Sequence, residues 1–375
     1  MTISKNRIKL ACAGSGKTWG ICNDVKNIDP KFGKKILLVT YTNSGVESII
    51  SEYKKQNNGV LDQNVEVITW YQFLLRELIK PYQSFFVNEI NILESIDYDN
   101  QYRLQFHKKG TKSYFLTNTN DVKVNNVSEF AVHLNKLSQG AVIRRLEEIY
   151  CAIYIDELQD LVGRDIDLLE LLLASSIHLY CVGDYKQSTL KTHNAKANGK
   201  KAGRHIFDYL KSIKNKYSIE IIEENKSRRF GSDIAKFSNL VYPGDPVIGI
   251  MDEQCDASGV FQISKKDIDK YLLLFEASVL RFNKRTDTMG YQAYNFGVSK
   301  GMTIDRVVIF PNGPLKQFLK APTMDLSNKE KYYVGTTRAK YSMTFVVDKL
   351  VENEFFKHYE IESNNERFSV LKFIC

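Results

Sequence analysis

The segment Ala11-Cys12-Ala13-Gly14-Ser15-Gly16-Lys17-Thr18 has the residue types and spacing of a phosphate cradle. Glycines such as Gly14 and Gly16 let backbone N–H groups converge on an anion, and the N-terminus of a following helix adds positive potential. In that arrangement Lys17 neutralises the β and γ oxygens of a nucleoside triphosphate, and the Thr18 hydroxyl reaches Mg²⁺. Ala11, Gly14, Ser15 and Gly16 supply the remaining loop contacts. A glycine-rich turn before a helix is the plain alternative. The strand–loop–helix context favours phosphate binding.

A second chemical cluster lies downstream. Ile153-Tyr154-Ile155-Asp156-Glu157 closes an apolar run with two carboxylates. Asp156 is placed to reach Mg²⁺ through water, and Glu157 to polarise an attacking water. The next apolar run ends in Val182-Gly183-Asp184-Tyr185-Lys186-Gln187, where Gln187 can address the γ-phosphate or that water. Together these residues predict a nucleoside triphosphate–Mg²⁺ site.

Such a site needs strands that end at it. Strand-like runs at Ile8–Ala13, Lys35–Tyr41, Glu66–Thr69, Cys151–Ile155 and His178–Gly183 alternate with helix-like segments, including Lys17–Val25, one from Asn43 and Trp70–Ile79. This rhythm predicts an α/β fold with largely parallel sheets flanked by helices. The stretch from about 80 to 146 breaks it and reads as an insertion, with a β-hairpin over Tyr102–Thr117. A second α/β unit is expected from Ser218, opening with a strand at Ile219–Ile222. It continues through a helix at Gly231–Leu240 and strands at Val260–Ile263, Gln292–Phe296, Arg306–Phe310 and Met343–Val347. The expected domains are therefore 1–217 and 218–375, with a reduced insertion at about 242–291 in the second.

Bulk composition agrees with two globular domains. The chain has 375 residues, 43% hydrophobic and 26% charged, with a net charge of +8 that suits a polyanionic partner without requiring one. No apolar run reaches the length of about 20 residues that crosses a bilayer, so no membrane partner is expected. The six cysteines are scattered without metal-ligand spacing. With a strand beginning near the N-terminus, this predicts a cytoplasmic protein.

With these residues in place, a family resemblance emerges. Asp156-Glu157-Leu158-Gln159-Asp160 followed by Val182–Gln187 resembles motifs II and III of the UvrD/Rep helicases of superfamily 1A. Asn225-Lys226-Ser227-Arg228-Arg229 followed by Ile234 resembles motif IV, in a register that selects Arg229 over Arg228. Tyr332-Tyr333-Val334-Gly335-Thr336-Thr337-Arg338-Ala339-Lys340 resembles motif VI. Val298-Ser299-Lys300-Gly301-Met302-Thr303 resembles motif V, with Gly297 and Thr303 standing where the family has histidine and glutamate.

The resemblance implies two RecA-like domains with ATP in the cleft between them. In that scheme Lys17, Glu157, Gln187, Arg229 and Arg338 are catalytic. Gly301 contacts the nucleotide, and Thr18 and Asp156 hold the metal. It also implies a single-strand DNA translocase or helicase of 3′ to 5′ polarity. The family's glutamine motif would lie ahead of the first strand, where few residues stand, so ATP and GTP both remain open.

The same resemblance implies a nucleic-acid face. Thr40-Tyr41-Thr42-Asn43 matches motif Ia, and Thr69-Trp70-Tyr71-Gln72 sits where a second strand-end motif lies. Hydroxyls and amides there suit phosphates, and the rings suit sugars or bases. Core packing is the competing role for Trp70 and Tyr71. Asn194 and Lys196, with His193, follow motif III, where Thr192 replaces the family's stacking tryptophan; Ser299 joins from motif V. The motifs do not separate DNA from RNA. The small size suggests a protein partner such as a nuclease, in DNA repair or phage defence. The competing functions are a nucleotide-gated DNA-binding subunit and an RNA-directed ATPase.

Overall fold

The structure is a computed structural model that describes residues 6–30, 33–87, 93–99, 107–189, 197–252, 255, 257–363 and 366–374. The chain forms two compact units. One takes the chain up to Leu10, Lys17–Tyr185 and the stretch ending at Glu223; the other takes Ala11–Gly16, Lys186–Thr189 and Glu224–Cys375.

The first unit is built on β1 (Asn6–Ala11), β2 (Lys35–Thr40), β3 (Val65–Thr69), β4 (Tyr150–Ile155), β5 (His178–Gly183) and β6 (Ile219–Glu224), in the order β3-β2-β4-β5-β1-β6. The pairs β3–β2, β2–β4, β4–β5 and β5–β1 are all parallel. Parallel sheets must be covered on both faces, and the strand sequences are apolar on both sides accordingly. Ile36, Leu38, Ala152 and Tyr154 pack under α1 (Lys17–Lys26) and α2 (Asn43–Gln56). Their strand neighbours Leu37, Val39, Ile153 and Ile155 face the opposite way, against α3 (Val127–Leu137), α4 (Ala141–Ile149), α5 (Asp165–Ala174) and α6 (Ile206–Ser212).

The second unit is built on β7 (Gly259–Ser264), β8 (Ser278–Arg281), β9 (Tyr294–Asn295), β10 (Ile304–Phe310), β11 (Ala339–Val347), β12 (Phe356–Ser363) and β13 (Glu366–Phe373). Their order is β9-β8-β10-β11-β7-β13-β12. The first five are parallel, and β13 and β12 close the sheet as an antiparallel edge. The helices are α7 (Ser232–Val241), α8 (Ile268–Phe275), α9 (Gly313–Lys320) and α10 (Lys329–Thr336). One face packs Phe261, Ile263, Val279, Val308 and Phe310 against Ile268 and Tyr271 of α8. On the other face Phe237 of α7 meets the rings of Phe318, Phe345, Phe356 and Phe373.

The fold class is therefore the expected one, a mixed α/β chain with parallel sheets flanked by helices, and several elements differ in detail. The strand at Ile219 does not open the second sheet. It is the edge strand next to β1, because Ile219 is buried in the first core. Within the expected hairpin over Tyr102–Thr117, Lys112–Phe115 is a helical turn that buries Tyr114 and Phe115; residues 102–106 lie outside the described residues. The helix expected over Trp70–Ile79 begins as α at Trp70–Gln72 and continues as a π-helix over Phe73–Ile79. The strands β8, β12 and β13 had no counterpart in the sequence reading.

Candidate functional site

In the first unit the chemistry gathers at the carboxyl ends of the parallel strands. Lys17 and Thr18 open α1, which is tied to the sheet where Tyr154 and Arg7 both bond Asp24. Asp156 and Glu157 follow β4. The Asp156 amide extends the ladder to Val39 O at 2.8 Å, and Asp156 Oδ1 accepts the Glu157 amide at 2.9 Å. Glu157 lies in the left-handed region at φ 58°, an uncommon position for a non-glycine residue.

Gln159 was named in the sequence only as part of a motif, yet it organises this corner. Its Nε2 donates to Glu157, and its Oε1 accepts the Asp184 amide at 2.9 Å, so one buried amide joins the turn after β4 to the turn after β5. Gly183 leaves the space: a Cβ there would sit 2.4 Å from Gln159 Oε1. The place of Gln159 two residues after the acidic pair gave no sign of this role, which comes from its burial between the two turns.

The second unit holds the rest of the phosphate loop and the arginines. Gly14 and Gly16 have φ of 73° and 82°, the backbone that only glycine adopts at low cost. A Cβ on Gly14 would lie 2.4 Å from Ser227 Oγ and 2.5 Å from Arg229 Cβ. Arg228, which the sequence register set aside, donates to Ser15 O at 2.6 Å, and its amide to Gly14 O at 2.8 Å. Arg229 donates to Thr337 O at 2.9 Å, beside Arg338. Arg228 thus bonds the glycine loop and Arg229 the residue before Arg338.

Arg338 is 1% exposed. Its guanidinium donates to Val334 O, Ser299 O, Met302 O, Thr337 Oγ1 and, at 3.1 Å, to Gln187 Oε1. The segment around Gly301, itself at φ 86°, is therefore a carbonyl holder for Arg338. Ser15 Oγ is buried with no hydrogen-bond partner among the described residues. A loop hydroxyl left over in this way fits an oxygen-rich anion, as do the glycine cradle and Lys17, while the Thr18 hydroxyl and the Asp156 carboxylate are oxygens that suit Mg²⁺.

The residues expected on a nucleic-acid face divide. Tyr41 and Tyr71 stand at the ends of β2 and β3 with ring centroids 5.9 Å apart, and burial pushes the Tyr71 phenol up, helped by its bond to Tyr41. Thr42 and Asn43 are exposed, and Thr42 Oγ1 accepts the Gly45 amide as the cap of α2. Trp70 is a correction. It is 1% exposed, and its indole N–H donates to buried Asp165 at 3.0 Å, so it is a core residue and offers no ring to a ligand. The hydroxyl of Thr69 is likewise committed, to a capping box with Gln72. Ser299 is buried with its hydroxyl on Phe296 O, and Thr40 is buried. Asn194 and Lys196, with Thr192 and His193, lie outside the described residues.

One feature escaped the sequence reading. The carboxyl ends of β7, β8 and β10 surround a cavity of about 450 Å³ edged by Lys265, Arg285 and Lys316. Asn283 and Asn312 line it, with Asp287 the acidic residue at its wall. Clustering of cations across strand ends far apart in sequence gave no local signal.

A glycine-rich strand-to-helix loop, a strand-end acidic pair and one buried arginine, Arg338, on parallel α/β sheets form the residue set that resembles a P-loop NTPase. Residues 116–199 match the family model for the UvrD/REP helicase N-terminal domain. This stretch runs through the acidic pair to Gln187 and does not include the phosphate loop. This partial match agrees with the family resemblance that the motifs implied. No curated protein matches the chain. Among solved structures it is similar to the Arterivirus nonstructural protein 10 helicase in complex with DNA, at 13% identity and a TM-score of 0.46. That likeness covers 92% of this chain and 61% of the viral one.

Proposed function

We propose that the chain is an ATP-driven motor on single-stranded DNA, of the helicase or translocase type. The observation that carries this reading is the pairing of a complete phosphate loop with an arginine, Arg338, whose guanidinium rests on Gln187. In the proposed cycle Lys17 neutralises the β and γ oxygens of ATP while Thr18 and Asp156 hold Mg²⁺. Bound Mg²⁺ draws negative charge off the phosphates. Glu157 polarises the attacking water. Arg338 exchanges Gln187 for the γ-phosphate, keeping its carbonyl contacts, and stabilises charge in the transition state. Gln187, released, orients the water or a γ-oxygen. Arg229 supports Arg338 through the Thr337 carbonyl.

The two units are read as the two motor domains, with the boundary moved from 217/218 to after the strand Ile219–Glu224, and movement is read as 3′ to 5′, both on the family resemblance. Tyr41, Thr42, Asn43 and Tyr71 at one set of strand ends, and the basic cavity at the other, suit a strand held by its backbone with rings against bases. A cytoplasmic setting and a nuclease partner fit this reading.

The test is ATP hydrolysis with and without oligo(dT), with oligo(U) as the RNA arm. Strong stimulation by DNA is the expected result. Equal rates with and without either strand would end the motor reading. Stimulation without strand displacement would mark a nucleotide-gated binding subunit instead.

A further inference from the structure

Beside the basic cavity lies a second cavity of about 480 Å³, and Lys316 lines both. Its interior is built from α9, the loop after β11, and Gln262 of β7. Strand alternation explains Gln262. Phe261 and Ile263 turn into the core on one face, which sends the residue between them to the other. There Gln262 is 4% exposed, and its Nε2 has no hydrogen-bond partner among the described residues. Buried donors are almost always satisfied, so an orphan amide lining a cavity points to an absent acceptor. Leu319, Val347 and Val351 give the cavity apolar surface, and Lys320 and Lys349 are balanced in its lining by Asp348 and Glu352. The volume falls in the range of about 300–1,000 Å³ typical of small-ligand sites.

We propose that this cavity takes one base of the bound strand, with the Gln262 amide donating to an acceptor on the base edge. The inference rests on the nucleic-acid reading above. A planar base supplies what the cavity lacks: apolar faces for the aliphatic residues and an acceptor for Nε2. The shared wall at Lys316 is the physical reason to favour a strand. Phosphates drawn to the basic cavity put a neighbouring base within reach of this one. A free nucleotide offers the same chemistry, and an acidic peptide is the other class of occupant.

The decisive variant is Gln262→Leu, which removes the donor and keeps an apolar side chain. Binding of fluorescent oligo(dT) is followed by anisotropy, alongside the melting temperature. The expected result is an affinity loss of about tenfold, as for a hydrogen bond deleted from a desolvated site. The melting temperature should hold or rise, because an unsatisfied donor has been removed. Val351→Trp, which narrows the cavity with an indole, should weaken the same binding without touching Gln262. If wild type binds oligo(dT) and both variants bind it equally well, the base pocket is wrong while the motor reading stands. If wild type binds no strand at all, the motor reading itself fails. If thymidine monophosphate or an acidic apolar peptide loses affinity in Gln262→Leu while oligo(dT) does not, the cavity serves that ligand and the strand-base assignment is overturned.

Discussion

The two sheets share one strand order and put it to different use. Numbering the parallel strands of each in chain order gives third, second, fourth, fifth, first for both β3-β2-β4-β5-β1 and β9-β8-β10-β11-β7. After the first strand, one sheet has Gly14 and Gly16 at positive φ; the other has Ser264, whose hydroxyl accepts the Lys266 amide and starts a helix. After the fourth, one has Asp156 and Glu157; the other has Asn312, whose Oδ1 accepts from Leu315 N and Tyr332 OH. After the fifth, one turns toward Gln187; the other has Asp348, paired to Lys265 and Lys316. The topology makes a crevice at the strand ends in both cases. The residues placed there decide whether it is built for a triphosphate or lined with capped ends and cations.

Breaking the first crevice should have the largest effect. Lys17→Ala should abolish ATP turnover, and Glu157→Gln should slow it by roughly 10²–10⁴, the usual share of a positioned acid or base. Steady-state phosphate release measures both, and a Glu157→Gln protein at the wild-type rate would remove that residue from the chemistry. Gly14→Ala is subtler. A left-handed alanine costs about 1–2 kcal/mol, and its methyl would also press on Ser227 Oγ, so nucleotide affinity should fall about tenfold or more.

The second crevice can be sharpened as well as broken. Asp348 occupies both Lys265 and Lys316, whose charges hold its carboxyl below the usual carboxylate range. Asp348→Asn should release both lysines, raise affinity for single strands a few-fold, and steepen the salt dependence by about one unit per freed cation. Binding isotherms across a salt series would show it; an unchanged slope would mean no phosphate lies there. The smallest effect on binding belongs to Trp70→Phe. It should leave strand affinity alone and cost about 1–3 kcal/mol of stability, because buried Asp165 loses a donor.

How much was legible follows from how local each signal is. The phosphate loop and the Asp156-Glu157 pair each occupy one continuous segment, and the motifs after them supplied Gln187 and Arg338 in the same way. The alternation of apolar runs gave the sheets. Edge positions were harder: Ile219–Glu224 reads as a strand, but only its burial against the first core says which sheet it joins. Trp70 was ambiguous because a helix start beside a binding face and a core corner use the same residues; Asp165, far along the chain, settles it. Gln159, Gln262 and the cations Lys265, Arg285 and Lys316 are assembled by tertiary packing, and no spacing rule reports that.

Arg338 carries the central claim, that the phosphate loop and this guanidinium act on one triphosphate. Single-turnover hydrolysis should be measured for wild type and Arg338→Ala at saturating ATP and oligo(dT), after equilibrium ATP binding and melting temperature have been checked for each. A folded Arg338→Ala protein that still binds ATP but hydrolyses it about 10³-fold more slowly is the predicted result. Hydrolysis at the wild-type rate in that protein would contradict the account.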